Sequence, residues 1–295
     1  MTTLLDAPDA VAPVPPRRMA VRLRRFRQNR AAVVAGLIIV LLLLACLIGP
    51  LVAPDPTLVD VTDRFAAPSG AHWLGTDDLG RDVLARVLSG GRVAFLVAVL
   101  ATVVAVIPAG VLGVIGGYRR GLVDDVFSRI FDILLAVPSL LLGIVVVAAL
   151  GPSLPSIIIA IGIADIPRYG RLFRALTLEA KEREYVGSAV ALGYSSIRIT
   201  LRHILPNIYV PVMVIATSLM GRVALSEASL SFLGVGIQPP HASWGNMISE
   251  GQQFLQSSPI LALAPSAALT ILTLAFSFFG DGLRTAFDVR EPGAR

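Results

Sequence analysis

Apolar residues fall in six long runs along this chain, separated by shorter polar segments. A helix needs roughly 20 consecutive apolar residues to cross the ~30 Å hydrocarbon core of a bilayer. The runs occupy residues 31–52, 93–115, 126–150, 154–172, 208–225 and 260–279. The fourth is the most polar, because Asp165, Pro167 and Arg168 interrupt it. The pattern predicts an all-α polytopic membrane protein with six transmembrane helices, and six spans place both termini on one side.

The composition agrees with this prediction and excludes two other classes of protein. Of the 295 residues, 55% are hydrophobic and 15% are charged, whereas soluble domains have about 25% charged residues. The mean hydropathy of +0.77 leaves too little polar surface to cover a water-soluble globule. Disorder is excluded, since it needs low hydrophobicity and high charge. A single cysteine, Cys46, excludes an intrachain disulfide and a cysteine-rich metal cluster.

The distribution of arginine predicts the orientation of the chain. Cytoplasmic segments of membrane proteins hold the excess of Arg and Lys. Basic residues concentrate in segments 17–30, 119–120, 171–202 and 284–295. The segment 53–91 is richer in aspartate, and 230–259 has no basic residue other than histidine. We therefore predict a basic cytoplasmic tail (1–30), a six-span domain (31–284) with an external loop (53–91), and a cytoplasmic tail (285–295). The pI near 10 then reflects topology and not nucleic-acid binding, since no basic stripe with interleaved aromatic residues occurs.

The cytoplasmic segment 178–206 is longer than a simple connection requires. Residues 178–192 favour a helix, and Gly193 supplies the left-handed residue that ends one. Ser195 or Ser196 caps a second short helix, and Pro206 opens the next span. The first helix has a small, modestly apolar face at i, i+3, i+4, i+7 spacing, formed by Tyr185, Ser188, Ala189 and Leu192. This face suits either a groove on another protein or the membrane surface.

The sequence offers no chemistry for catalysis or metal binding. It contains no HExxH, GxSxG, GxGxxG or nucleotide-binding GxxxxGK[ST] motif. Its three histidines, His72, His203 and His241, fall on both sides of the predicted membrane and cannot bind one metal ion. We predict no catalytic, cofactor-binding or metal-binding residue, and a transported solute must draw energy from elsewhere.

Three stretches give the chain a family resemblance. They are HWLGTDDLGRDVL (72–84), the segment 185–207 that ends in RHILPN, and SFLGVGIQPP (231–240) followed by SWGNMI (243–248). Together they resemble the permease subunits of binding-protein-dependent ABC importers of the peptide/opine/nickel group, of the dipeptide and oligopeptide (DppC/OppC) type. The likeness extends from about residue 24 to residue 284.

The resemblance implies a type I ABC importer permease fold and a helix in segment 178–206 that couples to an ATPase. The implied coupling residues are Glu184, Tyr185, Gly187, Ser188, Ala189, Leu192, Gly193, Leu205 and Pro206. Gly187 and Ser188 depart from the glutamate and first alanine of the family's EAA pattern, and Glu184 is one helical turn earlier. The implied external motif comprises Gly75, Thr76, Asp77, Gly80, Arg81 and Asp82. We expect this loop to meet a delivered binding protein.

The resemblance also implies the partners. They are a second, homologous permease subunit, two ATP-binding subunits or one fused subunit, and an external substrate-binding protein. By this resemblance the chain itself would be a non-catalytic subunit of the bacterial cytoplasmic membrane that binds no cofactor, while its partners would use ATP and Mg²⁺. The expected substrate is a dipeptide, an oligopeptide or a related small ligand, and we expect no nucleic-acid partner.

Ionisable residues inside spans are costly and commonly face a path or a bundle interior. Asp132, Asp165 and Arg222 are therefore our candidates for the translocation path. Two other functions remain as alternatives. A proton-coupled secondary transporter would use Asp132 or Asp165 as carrier, and an intramembrane enzyme would need a nucleophile or metal set within the spans.

Overall fold

The computed structural model describes residues 18–287, and these form an all-α protein. The predicted tails 1–30 and 285–295 therefore lie partly outside the described residues. The helices are α1 (Arg18–Gln28), α2 (Arg30–Val52), α3 (Val83–Arg119), α4 (Leu122–Ala136), α5 (Ser139–Leu150), α6 (Leu154–Lys181), α7 (Glu184–Ala191), α8 (Ser196–Ile199), α9 (Leu205–Phe232), α10 (Trp244–Gly251) and α11 (Ile260–Phe287). A π-helical turn, Thr200–Ile204, joins α8 to α9. No strand forms among the described residues beyond one isolated bridge between Thr76 and Asp82.

Each of the six predicted spans coincides with a helix or a pair of helices. Within the described residues, α2, α3, the continuous segment Ser196–Phe232 and α11 are long and apolar enough to cross a membrane. The pair α4 and α5 counts as a fifth span, bent by 92° at Pro138, which has no N–H to continue a helix. The sixth, α6, has 28 residues and reaches about 42 Å, but its charged residues make it less apolar than the others.

Helix contacts show that the bent pair crosses the full width of the bundle. A methyl group added to Gly113 would lie 2.4 Å from the carbonyl oxygen of Gly170, and one on Gly162 would lie 2.5 Å from Val104. Early residues of α3 thus face early residues of α6, and late residues face late ones, so the two helices are parallel. The chain between them must return from one end of α3 to the other. The pair α4–α5 is therefore a broken span and not a re-entrant loop.

The remaining contacts fix the direction of the outer helices. A Cβ on Gly282 would lie 2.1 Å from that of Ala32, so the end of α11 lies beside the start of α2. A Cβ on Gly91 would lie 2.2 Å from Sγ of Cys46, so the end of α2 lies beside the start of α3. The described residues therefore cross six times, with the start of α2 and the end of α11 on one side. We call this the basic side; it also holds residues 119–122 and 181–204, and the loop side holds residues 53–82 and 233–259.

An arginine in α3 supplies a hydrogen bond that a proline removes from α2. Pro50 lies inside α2 and has no N–H to donate to the carbonyl of Cys46, four residues earlier. The guanidinium of Arg92 takes over this role: its Nε donates to O of Cys46 at 2.7 Å and its Nη2 to O of Leu47 at 2.6 Å. Backbone carbonyls of α2 thereby bind the charged guanidinium of Arg92.

Replacing Arg92 by leucine is expected to lower the free energy of unfolding by about 2 kcal/mol, because it leaves a carbonyl unsatisfied. In a Pro50→Ala background the new N–H can donate to Cys46, so the same change should cost about 1 kcal/mol less. Thermal unfolding of the four proteins in detergent measures this coupling. Equal costs in the two backgrounds would contradict the compensation between Pro50 and Arg92.

Candidate functional site

The basic side carries a compact helical unit between α6 and α9. α6 ends at Lys181, α7 begins at Glu184 after a break of two residues, and Gly193 adopts φ +75° at the corner. The hydroxyl oxygen of Ser195 accepts from N–H of Arg198, which caps α8, and α9 begins with Pro206 in its first turn. The predicted order of helix, glycine corner and second short helix is thus confirmed, with α6 supplying the part before residue 182.

The predicted face of α7 is divided between the inside and the outside of the protein. Ala189 is only 3% exposed, and with Val186 it packs in one apolar cluster with Ile199 and Ile204. The prediction that Ala189 belongs to an outward face is therefore wrong. A two-turn helix holds its place by burying one stripe, and Val186 with Ala189 forms the more apolar i, i+3 stripe of α7.

Large apolar side chains of this unit nevertheless point outward. Leu192 is 71% exposed and Tyr185 is 40% exposed, while Gly187 has open space where a Cβ would be. We call the exposed set the apolar group of the basic side; it comprises Tyr185, Val190, Leu192, Ile197 and Leu201. Sequence reasoning missed Val190, Ile197 and Leu201, although the i, i+4 spacing of the last two was a signal. Ser188 and Glu184 are also exposed, Leu205 is half-buried, and Pro206 is exposed.

The apolar group borders a groove at the end of α3. Val114, Ile115, Tyr118, Ile197 and Leu201 line a cavity of about 330 Å³ there. Exposed apolar surface of this kind, at the end of the spans on the basic side, marks a site that another surface covers.

The loop-side motif is buried, contrary to the expectation of a contact surface. Thr76, Asp77, Arg81 and Asp82 are each at most 6% exposed. The backbone leaves no space beside the two glycines: a Cβ on Gly75 would lie 2.4 Å from O of Ala66, and one on Gly80 would lie 1.7 Å from O of Asp60. Both glycines also have φ +75°. The motif is thus part of the fold, and its conformation requires glycine at both positions.

The motif is held by an ion cluster that the sequence did not reveal. Arg81 Nε donates to Asp77 Oδ2 at 2.7 Å, and Arg86 Nε lies 3.4 Å from the same oxygen. Glu250 of α10 accepts from Nη2 of both arginines, at 3.3 and 2.9 Å. We call Asp77, Arg81, Arg86 and Glu250 the loop-side ion cluster. Through Arg81 and Glu250 it joins the first motif to α10, which begins in the third motif, across more than 160 residues of chain.

Asp82 and Thr76 complete the attachment of the loop. The Asp82 carboxylate caps α3 by accepting from N–H of Ala85 at 2.7 Å, and His72 Nδ1 lies 2.9 Å from its other oxygen. The Thr76 hydroxyl donates to the carbonyl of Asp63. His72 is therefore a structural partner of Asp82, and no group of metal-binding residues occurs within residues 18–287.

The third motif packs directly on the start of α3. Trp244 is 1% exposed, and its Nε1 donates to O of Val87 at 2.8 Å. Ser243 and Asn246 form a capping box at the start of α10. Glu227 of α9, fully buried, accepts from the Ser231 hydroxyl at 2.7 Å. The loop-side ends of α3, α9 and α10 are thus packed together on the bundle.

Two of the three predicted path residues meet in a cleft. Arg222 Nη2 donates to both carboxylate oxygens of Asp165, at 2.6 and 2.7 Å. The pair lines a cavity of about 160 Å³ between α5, α6 and α9. Asp132 does not join them: it pairs with Arg171 at 2.5 Å, and both side chains are more than half exposed. Asp132 therefore lies outside this cleft, and its place on the translocation path stays a prediction.

Comparison with known proteins places this architecture among transport proteins. Residues 109–291 match the family model described as a binding-protein-dependent transport system inner membrane component. Residues 17–68 match the N-terminal TM domain of oligopeptide transport permease C.

Relatives align over most of their own length. The dipeptide transport system permease protein DppC of Alkalihalophilus pseudofirmus is 41% identical over 90% of this chain and 88% of the relative. The glutathione transport system permease protein GsiD of Pectobacterium atrosepticum is 38% identical over 90% and 89%. A putative peptide transport system permease of Brucella abortus is 40% identical over 92% and 90%.

Proposed function

The chain belongs to the binding-protein-dependent transport system inner membrane components, the permease subunits of ABC importers, and we propose that it forms part of the path by which peptides enter a bacterial cell. The observation that supports the substrate class most is the naming of the relatives, which are permeases for dipeptides, glutathione and peptides. The substrates in these names share a small, zwitterionic peptide backbone. Short peptides are therefore the proposed cargo.

The apolar group of the basic side supports ATP-driven coupling. In this proposal the group docks on a cytoplasmic ATPase subunit, and the rigid corner at Gly193 passes the motion of that subunit to α9. Docking through apolar contacts needs no carboxylate at position 187, so the departure from the EAA pattern is compatible with it. ATP binding and hydrolysis on the partners then bias the permease between inward-open and outward-open states. The chain contributes no catalytic residue and no cofactor of its own.

The remaining partners follow from the proposed importer. An external binding protein delivers the peptide on the loop side, and a second, homologous permease subunit completes the path. Lipid covers the exposed apolar faces of the outer helices, such as Leu37 and Leu41 of α2. A proton-coupled mechanism is less well supported, since both candidate carriers, Asp132 and Asp165, are paired with arginines that favour the charged carboxylate.

The orientation of the chain has a direct test. We propose that the basic side is cytoplasmic, in accord with the excess of arginine there. In a Cys46→Ala background, cysteines at the exposed positions Ala71 and Ser257 should react with an impermeant thiol reagent in intact cells. Cysteines at the exposed positions Ser188 and Thr285 should react only after lysis. Labelling at Ser188 from outside would invert the proposed topology.

Reconstitution tests the transport function. The permease, purified gently from its native membrane, is expected to bring two ATPase subunits and a second permease with it. Proteoliposomes loaded with ATP and supplied with the binding protein should accumulate radiolabelled alanine peptides, and those loaded with ADP should not. Uptake driven by a proton gradient without ATP would favour the secondary transporter instead.

A further inference from the structure

The cleft between α5, α6 and α9 contains a cation with unused hydrogen-bonding capacity. Arginine that pairs fully with a carboxylate commonly presents two nitrogens in a parallel fork. Arg222 instead uses only Nη2 for both oxygens of Asp165. Within residues 18–287 its Nε is buried without a partner, and its Nη1 makes no protein hydrogen bond. Nη1 is thus free for a ligand, and Nε is a second donor that a small shift of the side chain would expose.

The pair lies near the middle of the membrane. At 1.5 Å per residue, Asp165 is about 17 Å along α6 from Leu154, and Arg222 is about 15 Å from the end of α9. Both distances are measured from the loop side and are close to half of a ~30 Å hydrocarbon core. Placing a partly unpaired arginine at this depth is costly, which points to a functional role. The Arg222 side chain is also 30% exposed, so a ligand in the cleft can reach it.

The other groups in the cleft favour an anion beside Arg222. Ser139 and Leu140, the first residues of α5, line the cleft, and no side chain caps this helix. Free N–H groups at a helix start carry partial positive charge. The hydroxyls of Ser226 and Ser229 already donate to backbone carbonyls, at 3.0 and 2.8 Å. The donors left for a ligand are therefore the guanidinium and the start of α5, including the hydroxyl of Ser139.

We propose that Arg222 binds the C-terminal carboxylate of a peptide during its passage; this inference rests on the proposed peptide transport. A carboxylate is planar and matches the guanidinium in geometry and charge. Every unmodified peptide has this group whatever its side chains, so one residue can serve many peptides. Asp165 is a positioning residue: it fixes the guanidinium and neutralises the empty path, which keeps the ligand from binding too tightly to leave.

Uptake by the complete reconstituted transporter tests the proposal. Radiolabelled alanine peptides of two to five residues are compared with their C-terminal amides, in wild type and in Arg222→Gln. The binding protein is the same throughout, so its own preference cancels when the acid-to-amide ratio of the variant is divided by that of the wild type. Arg222→Gln should lower this ratio at least tenfold. Arg168→Gln is the matched control, because Arg168 is an exposed arginine of α6 outside the cleft, and it should leave the ratio unchanged.

Protection of a cleft cysteine gives a second measurement that needs neither transport nor the binding protein. Ser226→Cys, in a Cys46→Ala background, is labelled in the purified complex with a small charged thiol reagent. The free-acid peptides should protect this cysteine at a concentration at least tenfold lower than the amides do. The difference should vanish in Arg222→Gln and shrink in Asp165→Asn.

Equal protection by acid and amide in wild type, or an unchanged uptake ratio in Arg222→Gln, would overturn the role of Arg222. If Arg222→Gln lowered the uptake of acid and amide equally, the Asp165–Arg222 pair would be a purely structural link between α6 and α9. Wild-type transporter that moves no peptide at all would instead refute the proposed substrate class. The two failures are thus distinguishable.

Discussion

Asp77→Ala is expected to destabilise the permease by about 3–5 kcal/mol, because it removes the buried carboxylate that two buried cations share and leaves them only the half-exposed Glu250. Asp77 is the common partner of Arg81 and Arg86, which are 4% and 2% exposed. Its Oδ1 also accepts from N–H of Leu79 and Arg81, both at 2.9 Å. Removing the side chain therefore breaks the loop-side ion cluster and the turn that carries it. Thermal unfolding in detergent and the amount of protein in the membrane measure the effect.

The neighbouring aspartate is a matched control. Asp78 is 30% exposed and lies 3.7 Å from Arg81, so Asp78→Ala should change stability by no more than about 0.5 kcal/mol. If Asp77→Ala kept full stability and lost only uptake, the motif would be a contact surface for a partner, as the sequence suggested.

Leu192→Arg is expected to abolish uptake while leaving the permease in the membrane. Leu192 is 71% exposed, so an arginine there disturbs nothing within the chain. In the proposed complex the same arginine must lose its water inside an interface without a partner, which costs several kcal/mol. The ATPase subunits should separate from the permease during purification. Copurification and ATP-driven uptake are the two measurements.

Two nearby variants separate docking from folding. Ala189→Arg places the same charge in the buried stripe of α7, so the permease itself should be destabilised and depleted from the membrane. Gly187→Glu enters open space and should be tolerated. Retained ATPase subunits and normal uptake in Leu192→Arg would mean that the apolar group faces lipid.

The six spans and the glycine corner could be predicted because local signals determine them. Apolar runs of about 20 residues mark each crossing, and Gly193 has the positive φ that its place in the sequence suggested. The bounds of α3 were less predictable. The helix begins at Val83, ten residues before the apolar run, because Arg86 and Arg92 find partners inside the protein.

The sites were harder to predict, because their partners are distant in sequence. Arg86 and Glu250 are 164 residues apart, and nothing local marks either as a member of an ion cluster. The direction in which Ala189 faces depends on Ile199 and Ile204, which return to α7 only through the corner. Hydrophobic periodicity grouped Ala189 with the exposed Tyr185 and Leu192, and could not show that the fold buries Ala189 with Val186.

The ion pair between α6 and α9 also constrains how the chain enters the membrane during synthesis. Asp165 and Arg168 each raise the cost of inserting a lone helix by about 2.5–3.5 kcal/mol near its centre. Arg222, which neutralises Asp165, is 57 residues further along the chain. When α6 emerges from the ribosome, its counter-ion has therefore not yet been made. We expect α6 to remain beside α3 and the translocon until α9 arrives, so that these helices enter the lipid as a group.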